Sequence, residues 1–140
     1  MDIKTLISVY VTHEEAYRAG DIIIEEGNSD DWVYILLQGK VKVTKRTPMG
    51  QLTLSTLEKG SVFGEMEFFG RALTARCASV IAVDNDVRVG VLDAQQLNHD
   101  YESLSLQLRL LIKALIMGLR EANEKTAALI ASTHKKSPKN

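Results

Sequence analysis

Hydrophobic and polar positions alternate in short runs over roughly the first two thirds of the chain. Val41 and Val43 share one face of such a run, and Leu52 and Leu54 repeat the pattern. Glycines end these runs at positions 20, 27, 39, 50, 60 and 64. Short strands separated by glycine turns at this spacing predict a β-sandwich or β-barrel over about residues 17–93.

The pattern changes to helical after Asp93. That residue is placed to cap the N-terminus of a short helix that begins with Ala94. From about residue 102 to 132 the chain is rich in Leu, Ala, Lys and Glu, contains Gly118 as its one glycine and has no proline. This composition predicts one long helix.

The predicted long helix carries two apolar stripes. A helix beside a small barrel needs only one stripe to cover it, so a second stripe calls for another partner. The alternative is a single helix that is buried broadly within one domain. The heptad-like spacing of the second stripe favours a homodimer. The first stripe is Leu104, Leu108, Leu111 and Leu115, and the second is Ile112, Ile116, Leu119, Asn123, Thr126 and Ile130.

Composition and charge narrow the class of protein. The 140 residues are 45% hydrophobic and 25% charged, with a net charge of −1, which is typical of one soluble globular domain. There is no basic excess that predicts nucleic-acid binding, and no apolar run predicts a membrane span. One cysteine excludes an internal disulfide, and no secretion signal opens the chain, so we expect a cytoplasmic protein.

The candidate chemistry lies in two short motifs. Gly64-Glu65-Met66 and Arg76-Cys77-Ala78 enclose a short, mostly apolar segment. An arginine offers a planar, permanently charged donor fork to phosphate oxygens, while a glutamate accepts a hydrogen bond from a sugar hydroxyl. Backbone N–H groups after Gly64 would add anion contacts if a helical turn begins there. The alternative for an isolated Glu and Arg is a surface salt bridge.

Catalysis and metal binding find little support in the sequence. The three histidines, His13, His99 and His134, are isolated, and none pairs at ligand spacing. No grouping of Ser, His and Asp predicts a nucleophilic centre. We therefore expect neither an enzyme nor a resident metal or cofactor.

Five motifs, in order, resemble the cyclic nucleotide-binding domain of the catabolite activator protein and protein kinase A regulatory subunit class. The resemblance runs from about residue 13 to 126. It implies a mainly β fold with flanking helices: a double-stranded β-helix, or jelly-roll, barrel followed by a long C-terminal dimerisation helix. The motifs are YRAGDIIIEEG at 17–27, VYILLQGKVKV at 33–43, LEKGSVFGEM at 57–66, RCASV at 76–80 and VGVLD at 89–93.

The resemblance also implies a ligand site. Carried over to this chain, Glu65 binds the ribose 2′-hydroxyl and Arg76 the cyclic phosphate, with backbone N–H groups of Gly64, Glu65 and Met66 completing the pocket. Cys77 stands where the family usually has a small residue such as Ser, Thr or Ala. Asn123 is read in two ways, as a base contact or as a polar residue that sets dimer register.

The function implied is a stand-alone sensor domain that binds cyclic AMP or cyclic GMP and signals by moving its C-terminal helix. Residues 1–133 would form this domain and residues 134–140 a polar tail, with no DNA-binding domain. Two alternatives remain: a barrel without ligand that serves as a dimerisation or protein-interaction module, and the sensor half of a truncated transcription regulator.

Overall fold

The computed structural model describes residue 5 and residues 8–28, 32–64 and 78–136. Within the last range, only the backbone is described at positions 120, 123, 127, 131 and 133–136. A 3₁₀ turn, Ser8–Tyr10, leads into the first strand. None of the helices in this part of the chain is long and apolar enough to cross a membrane.

The described strands form two four-stranded antiparallel sheets. Sheet one has the order β1-β8-β3-β6, and sheet two has the order β2-β7-β4-β5. Strands that are distant in sequence therefore lie side by side, as in the predicted barrel. The strands are β1 Val11–Tyr17, β2 Ile22–Ile24, β3 Tyr34–Gln38, β4 Val41–Thr47, β5 Gly50–Leu57, β6 Val62–Phe63, β7 Ser79–Ala82 and β8 Val87–Leu92.

The core lies between the two sheets. Its centre contains side chains with no measurable exposure from β3, β4 and β8: Leu36, Val41, Val87 and Val89. A smaller cluster on the opposite face of sheet one contains Ile35. The two clusters bury alternate residues of β3 because successive side chains of a strand point to opposite faces.

Two helices follow the barrel: α1, Ala94–Glu102, and α2, Leu106–Lys136. The Asp93 cap is confirmed, because its carboxylate accepts hydrogen bonds from the backbone N–H groups of Gln95 and Gln96. The predicted boundaries of the long helix were wrong by about one turn at each end. The side chain of Ser105 accepts a hydrogen bond from the N–H of Leu108 at 3.2 Å and so caps α2 separately from α1.

The barrel also begins earlier than predicted. The first strand starts at Val11 rather than near residue 17, and it pairs along its length with β8. Three consecutive polar residues, Thr12, His13 and Glu14, are exposed, so the strand does not alternate regularly between apolar and polar positions and its sequence lacks the usual strand pattern. Pairing with β8, rather than local periodicity, makes this segment a strand.

The prediction that the first apolar stripe of α2 faces the barrel and the second faces a partner chain was wrong at a central residue. α2 packs against β4 and β5. Ile116, which was assigned to the partner-facing stripe, is only 6% exposed within the single chain, and Ile112 and Ile130 are half-buried. The leucines assigned to the barrel side, Leu108, Leu111 and Leu115, are instead about half exposed or more, at 48%, 54% and 61%. Leu119, which was assigned to the partner-facing stripe, is 55% exposed.

Candidate ligand-binding site

The candidate site belongs to the connection between the two sheets. β6, in sheet one, ends at Phe63, and β7, in sheet two, begins at Ser79. The intervening residues therefore connect one sheet to the other. Four predicted site residues, Glu65, Met66, Arg76 and Cys77, lie outside the described residues, and Asn123 is described only in its backbone.

The start of this connection is held by aromatic packing. Phe63 is 4% exposed and stacks on Tyr34 of β3, with ring centroids 5.2 Å apart and an interplanar angle of 19°. Gly64 follows with φ = +86°, a conformation that favours glycine over residues with a side chain. The predicted glycine turn is therefore present where the connection leaves β6.

The end of the connection is held by buried polar contacts. Ser79 is 4% exposed, and its Oγ accepts a hydrogen bond from the backbone N–H of Glu26 at 2.8 Å. Opposite Ser79 on β4, Thr44 is 1% exposed, and its Oγ1 accepts a hydrogen bond from Gln51 Nε2 at 3.0 Å. Buried polar groups that are hydrogen-bonded in this way resist displacement, so the Ser79 end of the connection has a fixed position. Together with the stacking of Phe63 on Tyr34, this fixes both ends of the connection.

A charged cluster lies beside this end of the connection. The ammonium group of Lys45 on β4 is 3.7 Å from carboxylate oxygens of both Glu26 and Glu124. The sequence motifs include Glu26 but not Lys45 or Glu124. No periodic signal could have revealed the cluster, because its members come from a turn, a strand and a helix.

Two tyrosine–carboxylate hydrogen bonds lie near the ends of β1. The hydroxyl of Tyr10 donates to Asp100 of α1, and this bond raises the pKa of Tyr10 and lowers the pKa of Asp100. At the other end, Tyr17 donates to Glu15 at 2.7 Å. Burial, followed by that hydrogen bond, raises the pKa of Tyr17, so it remains a neutral donor at physiological pH.

The described residues contain no cluster of candidate metal ligands. No group of three or more His, Cys, Asp or Glu side chains within them could hold a metal ion. Their polar side chains, such as Ser79 and Thr44, are instead bonded to other protein groups around the crossing between the sheets. These contacts hold Ser79 and Thr44 in place where the chain enters sheet two.

Comparison with known proteins defines the class. The family model of the cyclic nucleotide-binding domain matches residues 14–102, which include both ends of the connection and all the residues between them. The chain therefore belongs to the cyclic nucleotide-binding domain family.

Relatives in this family are much longer than this chain. Human cGMP-dependent protein kinase 2 is 35% identical over 117 residues, which are 81% of this chain and 15% of the kinase. The CRP-like cAMP-activated global transcriptional regulator of Mycobacterium tuberculosis is 32% identical over 115 residues, 79% of this chain and 49% of the regulator. The chain thus spans half or less of these relatives.

Solved structures confirm the predicted jelly-roll fold. The EAL enzyme Bd1971 in its cAMP- and cyclic-di-GMP-bound form aligns with a TM-score of 0.73 at 29% identity, covering 84% of this chain and 31% of that one. The catabolite activator protein of Thermus thermophilus aligns with a TM-score of 0.66 at 27% identity, covering 91% of this chain and 58% of that one.

The regulatory class predicted from the sequence motifs is confirmed. The family is one of ligand-binding regulatory domains, and the kinase and the EAL enzyme match this chain over only a small part of their length.

Proposed function

We propose that this domain binds cyclic AMP or cyclic GMP in the connection between β6 and β7 and signals by shifting α2. The observation that carries the proposal is the family match, which spans the whole connection. Relatives are named as a cGMP-dependent kinase and a cAMP-activated regulator, and Bd1971 has been solved with cAMP and with cGMP bound. The fixed ends of the connection, at Phe63 and Ser79, support a site that can hold a ligand in one orientation.

The proposed ligand contacts follow the family pattern. Arg76 binds the cyclic phosphate through its guanidinium fork, and Glu65 accepts a hydrogen bond from the ribose 2′-hydroxyl. Backbone N–H groups of Gly64, Glu65 and Met66 complete the anion site. Cys77 lies beside the phosphate, and Asn123 of α2 contacts the base or the facing helix of a second chain.

Calorimetric titration of nucleotide-stripped protein with cyclic AMP and cyclic GMP tests the proposal. Arg76→Ala should abolish the binding heat, and Arg76→Lys should weaken it by roughly tenfold or more because an ammonium cannot reproduce the bidentate fork. The matched control is Arg88→Ala, since Arg88 is 55% exposed on β8 and pairs only loosely with Glu14, at 4.0 Å.

The titration separates two functions. Micromolar or tighter binding that is lost in Arg76→Ala but retained in Arg88→Ala supports a sensor (a Kd of about 1 μM corresponds to about −8 kcal/mol). Folded wild-type protein that gives no heat with either nucleotide contradicts the proposal. The exposed leucines of α2 would then favour a dimerisation or protein-interaction module.

The proposed assembly is a homodimer through the exposed face of α2, here called the leucine face: Leu108, Leu111, Leu115, Leu119 and Leu129. The positions between Leu115 and Thr126 on this face include Gly118 and Ala122, so the face carries no charge at its centre. A face that has leucines three and four residues apart from Leu108 to Leu119 and no charge at its centre is complementary to a second copy of itself. We also propose that the protein acts in the cytoplasm.

A further inference from the structure

The charged cluster of Lys45, Glu26 and Glu124 joins three separate elements. Lys45 lies on β4, Glu26 in the turn after β2, and Glu124 in the C-terminal half of α2. The ammonium nitrogen is 3.7 Å from Glu26 Oε2 and 3.7 Å from Glu124 Oε1. The lysine therefore bridges the barrel and the helix.

The cluster is better shielded from solvent than an ordinary surface ion pair. The side chains of Lys45 and Glu26 are 17% and 20% exposed, and that of Glu124 is 55% exposed. By contrast, Lys125 and Glu121 of α2 form a pair whose side chains are 77% and 68% exposed. Charges near the protein interior are screened less by water and salt, so the Lys45 cluster should contribute more to structure than the Lys125 pair.

Glu26 is itself fixed to the barrel by its neighbours. Its Oε1 accepts a hydrogen bond from the backbone N–H of Arg46 at 2.9 Å. Its own N–H donates to Ser79 Oγ at 2.8 Å, at the first residue of β7. A continuous chain of polar contacts therefore runs from the end of the candidate ligand-binding connection, through Glu26 and Lys45, to Glu124 on α2.

We propose that Lys45 is a positioning residue that holds the C-terminal half of α2 on the barrel and transmits changes at Ser79 to the helix. The first part stands on the ion-pair geometry alone. The second part rests on the nucleotide-binding function proposed above, because it assigns the changes at Ser79 to ligand binding in the preceding residues.

Hydrogen exchange in ligand-free protein tests the first part. Peptides covering residues 117–132 should exchange about three- to fivefold faster in Lys45→Met than in wild type, as expected for the loss of a modest ion pair. Glu124→Gln should give the same increase. It alters a half-exposed helix position and so keeps the test valid if Lys45→Met folds poorly.

Three comparisons separate positioning from a general loss of structure. Lys45→Arg should exchange like wild type because it keeps the charge, and the Lys45→Met/Glu124→Gln double variant should exchange no faster than either single variant. Lys125→Met, the matched control, should leave exchange of these peptides unchanged. Equal exchange in wild type, Lys45→Met and Glu124→Gln would overturn the proposal.

The same experiment with saturating cyclic AMP tests the second part. Nucleotide should slow exchange of the α2 peptides in wild type, and this protection should be reduced in Lys45→Met although calorimetry still detects binding. Equal protection in both proteins overturns transmission through Lys45. If wild type shows no binding heat, the proposed function and the transmission step both fail, while exchange in ligand-free protein still decides whether Lys45 holds the helix.

Discussion

At the scale of single residues, a few polar contacts fix the position of otherwise weakly held segments. The short turn before β1 is joined to α1 by the hydrogen bond from Tyr10 to Asp100. Asp100 also accepts a hydrogen bond from Gln96 on its own helix. The Tyr10 contact connects residues 90 positions apart and so orders the start of β1 against the helix that follows the barrel.

Tyr10→Phe should lower stability most at intermediate pH. The pKa of Asp100 is lowered in the fold, so its contribution is complete above the ordinary value of 3.8 and is lost as pH falls through the lowered value. The pKa of Tyr10 is raised, so its contribution is complete below 10.0 and is lost as pH rises through the raised value.

Urea unfolding of wild type and Tyr10→Phe across this pH range measures the effect. The difference in unfolding free energy should form a plateau between about pH 5 and about pH 9 and shrink on both sides. A difference that stays constant at every pH would instead assign the effect to packing of the ring.

Gly39→Ala should destabilise the fold more than Gly27→Ala. Both glycines have positive φ, +81° and +91°. A Cβ at Gly39 would lie 2.9 Å from the carbonyl oxygen of Asp86, whereas a Cβ at Gly27 meets nothing within 4 Å. We expect a loss of about 1 kcal/mol for Gly27→Ala and roughly 2–4 kcal/mol for Gly39→Ala in denaturant unfolding. Equal losses would show that the crowding at Gly39 relaxes freely.

At the scale of elements, the sequence predicts strands and helix caps that depend on consecutive residues. It does not predict which other element each of them packs against. The apolar alternation at Val41 and Val43 and the cap at Asp93 are properties of consecutive residues, and both were predicted correctly. β1 was missed because its strand conformation depends on pairing with β8. The periodicity of α2 predicted two apolar stripes. Which of the two contacts the barrel depends on how β4 and β5 pack against the helix, and the sequence does not show this.

In the candidate site, too, local motifs allowed predictions and long-range packing did not. The ligand contacts of Glu65 and Arg76 were predicted from the motifs around them, and these contacts remain predictions. The Lys45 cluster could not be predicted from the sequence, because positions 26, 45 and 124 are brought together only by the packing of α2 on the barrel.

Gly118→Ala should stabilise α2. Gly118 lies inside the helix, and an added Cβ would meet nothing within 4 Å in the single chain. Alanine in a helix interior is favoured over glycine by about 0.5–1 kcal/mol, so the unfolding free energy should rise by that amount. A decrease would mean that the second copy of α2 in the proposed dimer approaches Gly118 too closely to accept the added methyl group.

At the scale of the whole molecule, α2 has one face on the barrel and one face exposed to solvent. Ile116 is buried within the single chain, while the leucine face is exposed along several turns. A solvent-exposed stripe of this length is unfavourable in a monomer because it leaves apolar surface in water. Two chains paired through α2 would remove that surface without changing either barrel.

Leu115→Glu should therefore convert the protein from dimer to monomer. Leu115 is 61% exposed, so the added charge disturbs the leucine face and not the core. Met49→Glu is the matched control, at a residue 46% exposed in the turn between β4 and β5. Light scattering should give twice the 15.5 kDa chain mass for wild type and Met49→Glu, and the single mass for Leu115→Glu. A monomeric wild type would contradict the proposed assembly.

Because Ser105 caps α2 separately from α1, α2 can rotate as a rigid rod about its N-terminal end. Its first turn is tied to α1, where Tyr101 donates a hydrogen bond to the carbonyl oxygen of Arg109 and Glu102 pairs with that side chain at 3.0 Å. The helix has 31 residues, which makes an arm of about 46 Å. A rotation of about 5° at the tied end moves Glu124 by roughly 2 Å and the far end by roughly 4 Å. Small angular changes near the barrel are thus amplified into displacements large enough to break an ion pair.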